Sequence, residues 1–206
     1  MYTSEDGEYL VKLARKNIET YLKTKKEVKI DPKELLDKYK ENAGIFVTLR
    51  KNIPDNTSNL RGCIGYPLPY YSLYEALIKA SISSATGDPR FKPVTSKEME
   101  DLIVEITILT PPQKIKVSSP DEYPKNIKIG EDGLIVRYGG YSGLLLPQVP
   151  VEWKWTEEEF LDHTCNKAGL PSNTWRKAED IVIEKFQGII FEEEEPKGKI
   201  IQKKIE

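Results

Sequence analysis

The sequence predicts an α+β protein, and three observations carry the prediction. Capped, amphipathic helical stretches mix with short strands without the regular βαβ rhythm of a parallel sheet. "LIVEITIL" (102–109) alternates with a strand's period of two. The second half is a run of short β-type segments separated by glycine turns.

Taken in order, residues 5–23 form an amphipathic helix, with Tyr9, Leu10, Leu13, Ala14, Ile18, Tyr21 and Leu22 at helical spacing. Ser4 stands as its N-cap, acids fill its first turn, and Lys23, Lys25 and Lys26 lie near its end, as the helix dipole favours. A linker and a short helical stretch near Leu35 to Tyr39 follow. "GIFVTLR" (44–50) is a strand, entered through a glycine and rich in β-formers. The polar loop "KNIPDNTSN" leads into "LRGCIG" (60–65), and "YPLPYY" is too proline-rich for a central strand. Ser72 and Glu75 form a capping box at the start of a second helix. Its Ala76, Leu77, Ala80, Ser84 and Ala85 give a small-residue face, and Gly87 ends it before the turn-rich "GDPRFKP".

Thr95 and Glu98 cap a short third helix. In the strand 102–109, Leu102, Val104, Ile106 and Ile108 line one face, and Glu105 stands among Ile103, Thr107 and Leu109 on the other. "NIKIG", "GLIVRYG" and "SGLLLPQVP" are β-type runs. "WTEEEFLDHTCNKAGLP" is a helix with a Thr156/Glu159 capping box and a Gly169 stop. A short helix around Trp175 precedes "DIVIEKFQGIIFEEE", a strand or a bulged pair of strands. Residues 196–206 are a charged C-terminal tail, either loosely packed or a late edge element. No internal repeat is present.

Composition limits the function. The chain of 206 residues carries 31 basic and 33 acidic side chains, a net charge of −2. That balance gives no global pull toward nucleic acid or an anionic membrane. The acidic start lacks the apolar core of a signal peptide, and no apolar run reaches membrane-spanning length, so a cytoplasmic protein is expected. The abundance of lysine, glutamate and isoleucine fits a thermophilic source. The two cysteines, Cys63 and Cys165, lie far apart and form neither a disulfide framework nor a metal knuckle. One histidine and two distant cysteines disfavour zinc and iron–sulfur sites, and the phosphate-binding, dinucleotide and nucleophile-elbow motifs are missing, so neither a metal nor a cofactor is expected.

The chemistry-bearing residues allow two readings each. Glycines on both sides of Cys63 let a backbone or ligand come close, and a guanidinium such as Arg61 would favour its thiolate. Cys63 is equally at home as a small buried hydrophobe. A Cys63–His163 pair could supply a nucleophile with its base, but a surface histidine is the preferred reading of His163. Arg90 could clamp a carboxylate or phosphate, or pair with Asp88 to hold its loop. Glu105 is an acid or base, or the internal partner of Arg61 or Arg90. Gln148 binds a ligand, or satisfies a backbone group where a strand breaks.

"LRGCIG" (60–65), "DPRFKPV" (88–94), "VEITILTPP" (104–112), "GLIVRYGGYSGLLLPQV" (133–149) and "FLDHTCNKAGLP" (160–171) together resemble the AMMECR domain family, in the family's order, over most of the chain from about Gly44 to Phe191. The resemblance implies a single domain over 1–206 in a compact AMMECR-type fold. It consists of two α+β subdomains, mainly antiparallel sheets with helices packed on them, and a cleft between, with the hexapeptide near the cleft. It implies no established activity. In prokaryotes such domains occur beside Memo-type and radical-SAM proteins, so such a protein is an expected partner; this chain lacks the cysteine triad of the cluster-bearing component. Matched residue by residue, the family's blocks fall on Arg61, Gly62, Cys63 and Gly65, on Asp88, Arg90 and Phe91, on Glu105, and on Ser142, Gly143 and Gln148. His163 is outside the pattern, and Pro150 stands where alanine is usual.

Two functions follow as expectations. In the first, the domain binds a small anionic molecule and acts on it. Arg61, Gly62, Gly65, Asp88, Arg90 and Gln148 then form the binding set, and Cys63 and Glu105 are the catalytic candidates. In the second, it is a non-catalytic partner module whose "YPLPYYSLY" supplies tyrosines for an interface.

Overall fold

The computed structural model describes residues 2–53 and 59–203. Most of the polar loop at 51–59 and the last three residues of the tail therefore lie outside the described residues. The chain divides into two compact units: Met1–Leu109 with Ile189–Lys204, and Thr110–Gly188 with Ile205–Glu206.

The first unit opens with helix α1 (Ser4–Thr24). Its N-cap is Thr3, one residue earlier than expected, because Asp6 completes a capping box with Thr3. The short helix α2 (Asp37–Lys40) precedes strands β1 (Gly44–Lys51) and β2 (Leu60–Tyr66). Helix α3 (Leu73–Thr86) has the Ser72/Glu75 capping box and ends at Gly87. The region capped by Thr95 is a 3-10 turn at Glu98–Asp101, leading into β3 (Leu102–Leu109).

In this unit β1 pairs antiparallel with both β2 and β3. Alternation sorts the side chains. Ile45, Val47 and Leu49 of β1, and Val104, Ile106 and Ile108 of β3, are fully buried and share a core with Leu10, Ala14 and Ile18 of α1 and Ala76, Leu77 and Ala80 of α3. Phe46, Thr48 and Arg50 therefore share the other face with Ile103, Glu105 and Thr107. Asn17 locks the two helices together by donating to Ile78 O (3.0 Å) and Ser81 Oγ (2.8 Å).

The second unit begins with β4 (Gln113–Lys114), the hairpin β5 (Asp132–Tyr138)–β6 (Tyr141–Leu145), and helices α4 (Gln148–Trp153), α5 (Glu157–Lys167) and α6 (Thr174–Lys177). The single long strand β7 (Val182–Glu193) follows, and its first half pairs with β4 and β5. Leu134, Val136, Phe160, Cys165, Trp175 and Ile183 form this unit's core. "NIKIG" is the end of a 3-10 helix followed by a turn rather than a strand, and "QVP" starts α4. Pro150 is accepted there because the first helical turn needs no N–H donor.

The second half of β7 belongs to the first unit, where the strand is the neighbour of β3. It also pairs with β8 (Ile200–Lys203), so the described part of the tail is an edge strand. The whole chain is mixed helix and antiparallel sheet, as the sequence predicts. Among the described residues, no helix is long and apolar enough to cross a membrane.

Candidate functional site

The hexapeptide forms β2, and the register of β1 explains what surrounds its cysteine. Cys63 lies opposite Thr48, and Thr48 opposite Glu105, in one row across three strands. Facing pairs in a sheet touch, and the Thr48 hydroxyl donates to Cys63 Sγ at 3.3 Å. Glu105, only 5% exposed, accepts from Arg50 through both oxygens, Nε to Oε2 at 3.1 Å and Nη2 to Oε1 at 3.4 Å. The internal partner of Glu105 is thus Arg50, not Arg61 or Arg90. Burial and the Glu105 charge act on Arg50 in opposite directions, and the carboxylate wins, raising the guanidinium's pKa.

The loop after α3 supplies the other half. The Asp88 carboxylate accepts the Cys63 N–H at 2.9 Å, Arg90 N–H at 3.1 Å, Arg90 Nε at 3.0 Å and Arg90 Nη2 at 2.7 Å. These bonds, with Arg90's side chain the foremost, hold the Asp88 carboxyl well below the usual carboxylate range. Arg90 Nη2 also reaches the Cys63 carbonyl at 3.4 Å. Asp88 is buried while the Arg90 side chain is 55% exposed, so the pair fixes a guanidinium whose remaining edge faces outward.

Arg61 does something different. It forks onto Glu98, with Nη2 to Oε2 at 3.0 Å, and donates to Lys92 O at 2.9 Å. Its side chain is 10% exposed, and it ties β2 to the end of the 88–98 loop. Phe91 lies between the two cations, 5.8 Å from the Arg61 guanidinium carbon and 5.5 Å from that of Arg90.

The glycines set the approach of the backbone. A Cβ on Gly62 would lie 2.1 Å from the Ser84 carbonyl oxygen, so β2 crosses α3 in direct contact there. A Cβ on Gly65 would lie 2.3 Å from the Phe46 ring. The glycines beside Cys63 let strand, helix and ring meet, and the close approach is by protein backbone.

Electrostatics decide the state of the thiol. Burial pushes the Cys63 pKa up and Glu105 adds to the rise, against the Thr48 hydrogen bond and the more distant Arg90 and Arg50. The sequence had Arg61 favouring a thiolate; in the structure Arg61 is committed to Glu98, and the thiol is neutral at neutral pH. Cys165 is fully buried in the second unit, its thiol pushed up to about 11 by burial.

Cys63, Arg61, Gly62, Gly65, Asp88, Arg90 and Glu105 all belong to the first unit, together on β2, β3 and the loop after α3. Gln148 is in the second unit, half-buried as the first residue of α4. His163 is exposed on α5 and stacks on Trp155, ring centroids 3.8 Å apart. Among the described residues no group of three acid, histidine or cysteine side chains could hold a metal ion. Sequence reasoning missed Thr48 and Arg50. Their even spacing within "GIFVTLR" put them on one face, but the register with Cys63 and Glu105 is a tertiary fact. Glu98 was read only as part of a cap; its N–H does donate to Thr95 Oγ1 at 3.2 Å, and its carboxylate also holds Arg61.

The AMMECR1 family profile matches residues 11–191. A protein of Pyrococcus abyssi is 56% identical over 205 residues, covering 98% of this chain and 97% of its own. A protein of Methanocaldococcus jannaschii is 52% identical over 205 residues, covering 100% and 98%. The crystal structure of an uncharacterized protein from Pyrococcus horikoshii matches with a TM-score of 0.83 at 55% identity, covering 98% of each chain. These relatives come from thermophilic archaea, in keeping with the composition.

Proposed function

The chain belongs to the AMMECR1 family, and we propose that in this member the β2 strand and the loop after α3 bind a small anion at the Arg90 guanidinium. One observation carries the proposal: a buried carboxylate, Asp88, fixes both the main chain of Cys63 and the side chain of Arg90, while that side chain remains 55% exposed. A guanidinium held by a buried partner loses little side-chain entropy on meeting a ligand. Its free edge suits a carboxylate or phosphate oxygen. In this reading Arg90 touches the anion, Asp88 is a positioning residue, and Arg61, Gly62 and Gly65 hold β2 against α3 and the loop.

Cys63 is the neutral wall of this site. Catalysis would ask more of the row: the thiol must lose a proton against its burial, and Glu105 must let go of Arg50 before it can accept one. Binding is therefore the core of the proposal and a Cys63–Glu105 reaction its extension. Calorimetric titration with phosphate and with malonate tests the core. Arg90→Ala should weaken binding at least about tenfold, the loss of one charge-assisted contact. Binding that is unchanged in Arg90→Ala refutes it.

The partner-module reading rests on Tyr70, 75% exposed, and its neighbour Tyr71. Co-purification with a Memo-type or radical-SAM protein that is lost in Tyr70→Ala and kept in Arg90→Ala would favour it.

A further inference from the structure

β2 is the last strand of its sheet. It pairs with β1 on one side, and among the described residues no strand pairs with the other. A strand edge shows N–H and C=O groups to whatever can pair with them. The Cys63 N–H goes to Asp88, so it points to the open edge and not to β1. Within an antiparallel pair the N–H and C=O of one residue point the same way, and the direction alternates along the strand. Gly65 therefore turns its N–H and C=O to the open edge as Cys63 does, while Gly62, Ile64 and Tyr66 face β1.

The two edge residues differ. Asp88 covers the Cys63 N–H, and Arg90 Nη2 covers the Cys63 C=O at 3.4 Å. The N–H of a residue precedes its C=O along the strand, so the order along the edge is Asp88, Arg90, then Gly65. Among the described residues nothing outside the ladder with β1 hydrogen-bonds to Gly65, and the residue is only partly buried.

This order selects an occupant. A strand laid antiparallel on β2 exchanges both bonds with Gly65, and two residues further toward its own C-terminus it would reach Cys63. Asp88 and Arg90 already fill that place, so the added strand must end one residue past its Gly65 partner. The antiparallel direction makes that end a carboxyl terminus, and it stops beside the Arg90 guanidinium, whose side chain is 55% exposed. A parallel strand would bring an ammonium to the same cation. We infer that β2 takes up the C-terminal segment of an extended peptide, with the penultimate residue paired to Gly65 and the carboxylate on Arg90. The inference rests on the anion site proposed above and names its ligand class. The penultimate side chain falls on the face where the Phe46 ring crosses the glycine, 2.3 Å from where a Gly65 Cβ would stand. Phe46 is half-buried, so its ring favours an apolar side chain there.

The probe is the peptide Ac-Ser-Thr-Val-Leu-Ser with a free carboxyl terminus, titrated against the full chain by amide NMR and calorimetry. It should compete with malonate and lose binding in Arg90→Ala. It should also move the Gly65 amide proton downfield, as a new hydrogen bond does, which malonate should not. The same peptide with a C-terminal amide, and the acid methylated on its leucine nitrogen, should each bind about tenfold more weakly. The first lacks the charge and the second lacks the donor to the Gly65 C=O. Either analogue binding as well as the acid, or a Gly65 resonance that the acid leaves in place, overturns the inference. Malonate binding that still depends on Arg90 then leaves the anion site standing, whereas malonate binding indifferent to Arg90→Ala removes both. A concentration-dependent dimer that shifts the Gly65 resonance and that the peptide fails to dissociate gives the edge to a second copy, and overturns the inference too.

Discussion

Asp88→Asn is the substitution that the geometry constrains most tightly. The change keeps the shape of the side chain and removes its charge. One of its two terminal atoms becomes a donor, so it can no longer accept both the Cys63 N–H on Oδ2 and the Arg90 Nε on Oδ1. The Cys63 bond is the costly one, since an unpaired buried donor costs about 1–3 kcal/mol. The Arg90 share is smaller, about 1 kcal/mol, because half of that side chain is in water. Asn keeps one acceptor oxygen and so retains one of the two bonds, and the loss should be about 1–3 kcal/mol at neutral pH.

The pH dependence follows from the depressed pKa of Asp88. In the unfolded chain the carboxyl titrates near its ordinary value, about 3.9, and in the native state well below it. The wild-type advantage is therefore complete above about pH 5 and declines as the pH falls below about 4, where the unfolded chain takes up a proton that the native state refuses. Urea unfolding of both proteins between about pH 7 and pH 2.5 measures the gap. Hydrogen exchange at the Cys63 amide tells which bond Asn keeps: it speeds up where the oxygen stays with Arg90 and is unchanged where it stays with Cys63. A gap under about 0.5 kcal/mol at neutral pH, the scatter of an ordinary surface substitution, would refute the reasoning. A gap of the same size at both ends of the pH range would refute it too.

Gly62→Ala should cost about 3 kcal/mol or more in urea unfolding, because its Cβ would stand 2.1 Å from the Ser84 carbonyl of α3, a backbone atom with no rotamer to change. The buried pair Arg15–Glu193 links α1 to β7, with Arg15 Nε 2.6 Å from Glu193 Oε1 and the Val104 N–H donating to Glu193 at 2.9 Å. Arg15→Met alone should therefore cost about 3–5 kcal/mol, and adding Glu193→Leu should recover only part of it in the same assay, because the second change removes the stranded charge but leaves the buried Val104 N–H without its acceptor.

The fold was legible where local signals agreed. "LIVEITIL" is β3 residue for residue, and the Ser72/Glu75 and Thr156/Glu159 boxes start α3 and α5 where their spacing put them. It was illegible where a short apolar run carried no period: "NIKIG", read as β-type, forms no strand, and "SGLLLPQVP", read the same way, is β6 only through Leu145 before "QVP" starts α4. The site was half legible. The residues of "LRGCIG" and "DPRFKP" do come together, since strand and loop both border α3. The partners that decide their chemistry were hidden, because Thr48 faces Cys63, and Arg50 takes Glu105, only through the register and face-sharing of β1 with its neighbours. Arg61 and Arg90 looked equivalent in the sequence. The structure separates them by exposure, with one tied down to Glu98 and the other held outward by Asp88.

The central claim, an anion site at Arg90 beside a neutral Cys63 thiol, is tested most directly by alkylating the folded protein with a charged and an uncharged reagent. Iodoacetate carries the carboxylate that the site should recruit, and iodoacetamide does not. Cys165 is fully buried, so the native reaction reports Cys63. Both rates should be slow at neutral pH and rise above about pH 9, as a thiol pushed up by burial requires. The ratio of iodoacetate to iodoacetamide rates should exceed that of free N-acetylcysteine about tenfold, and fall to the free-thiol ratio in Arg90→Ala. A ratio equal to that of the free thiol, and unmoved by Arg90→Ala, would contradict the account.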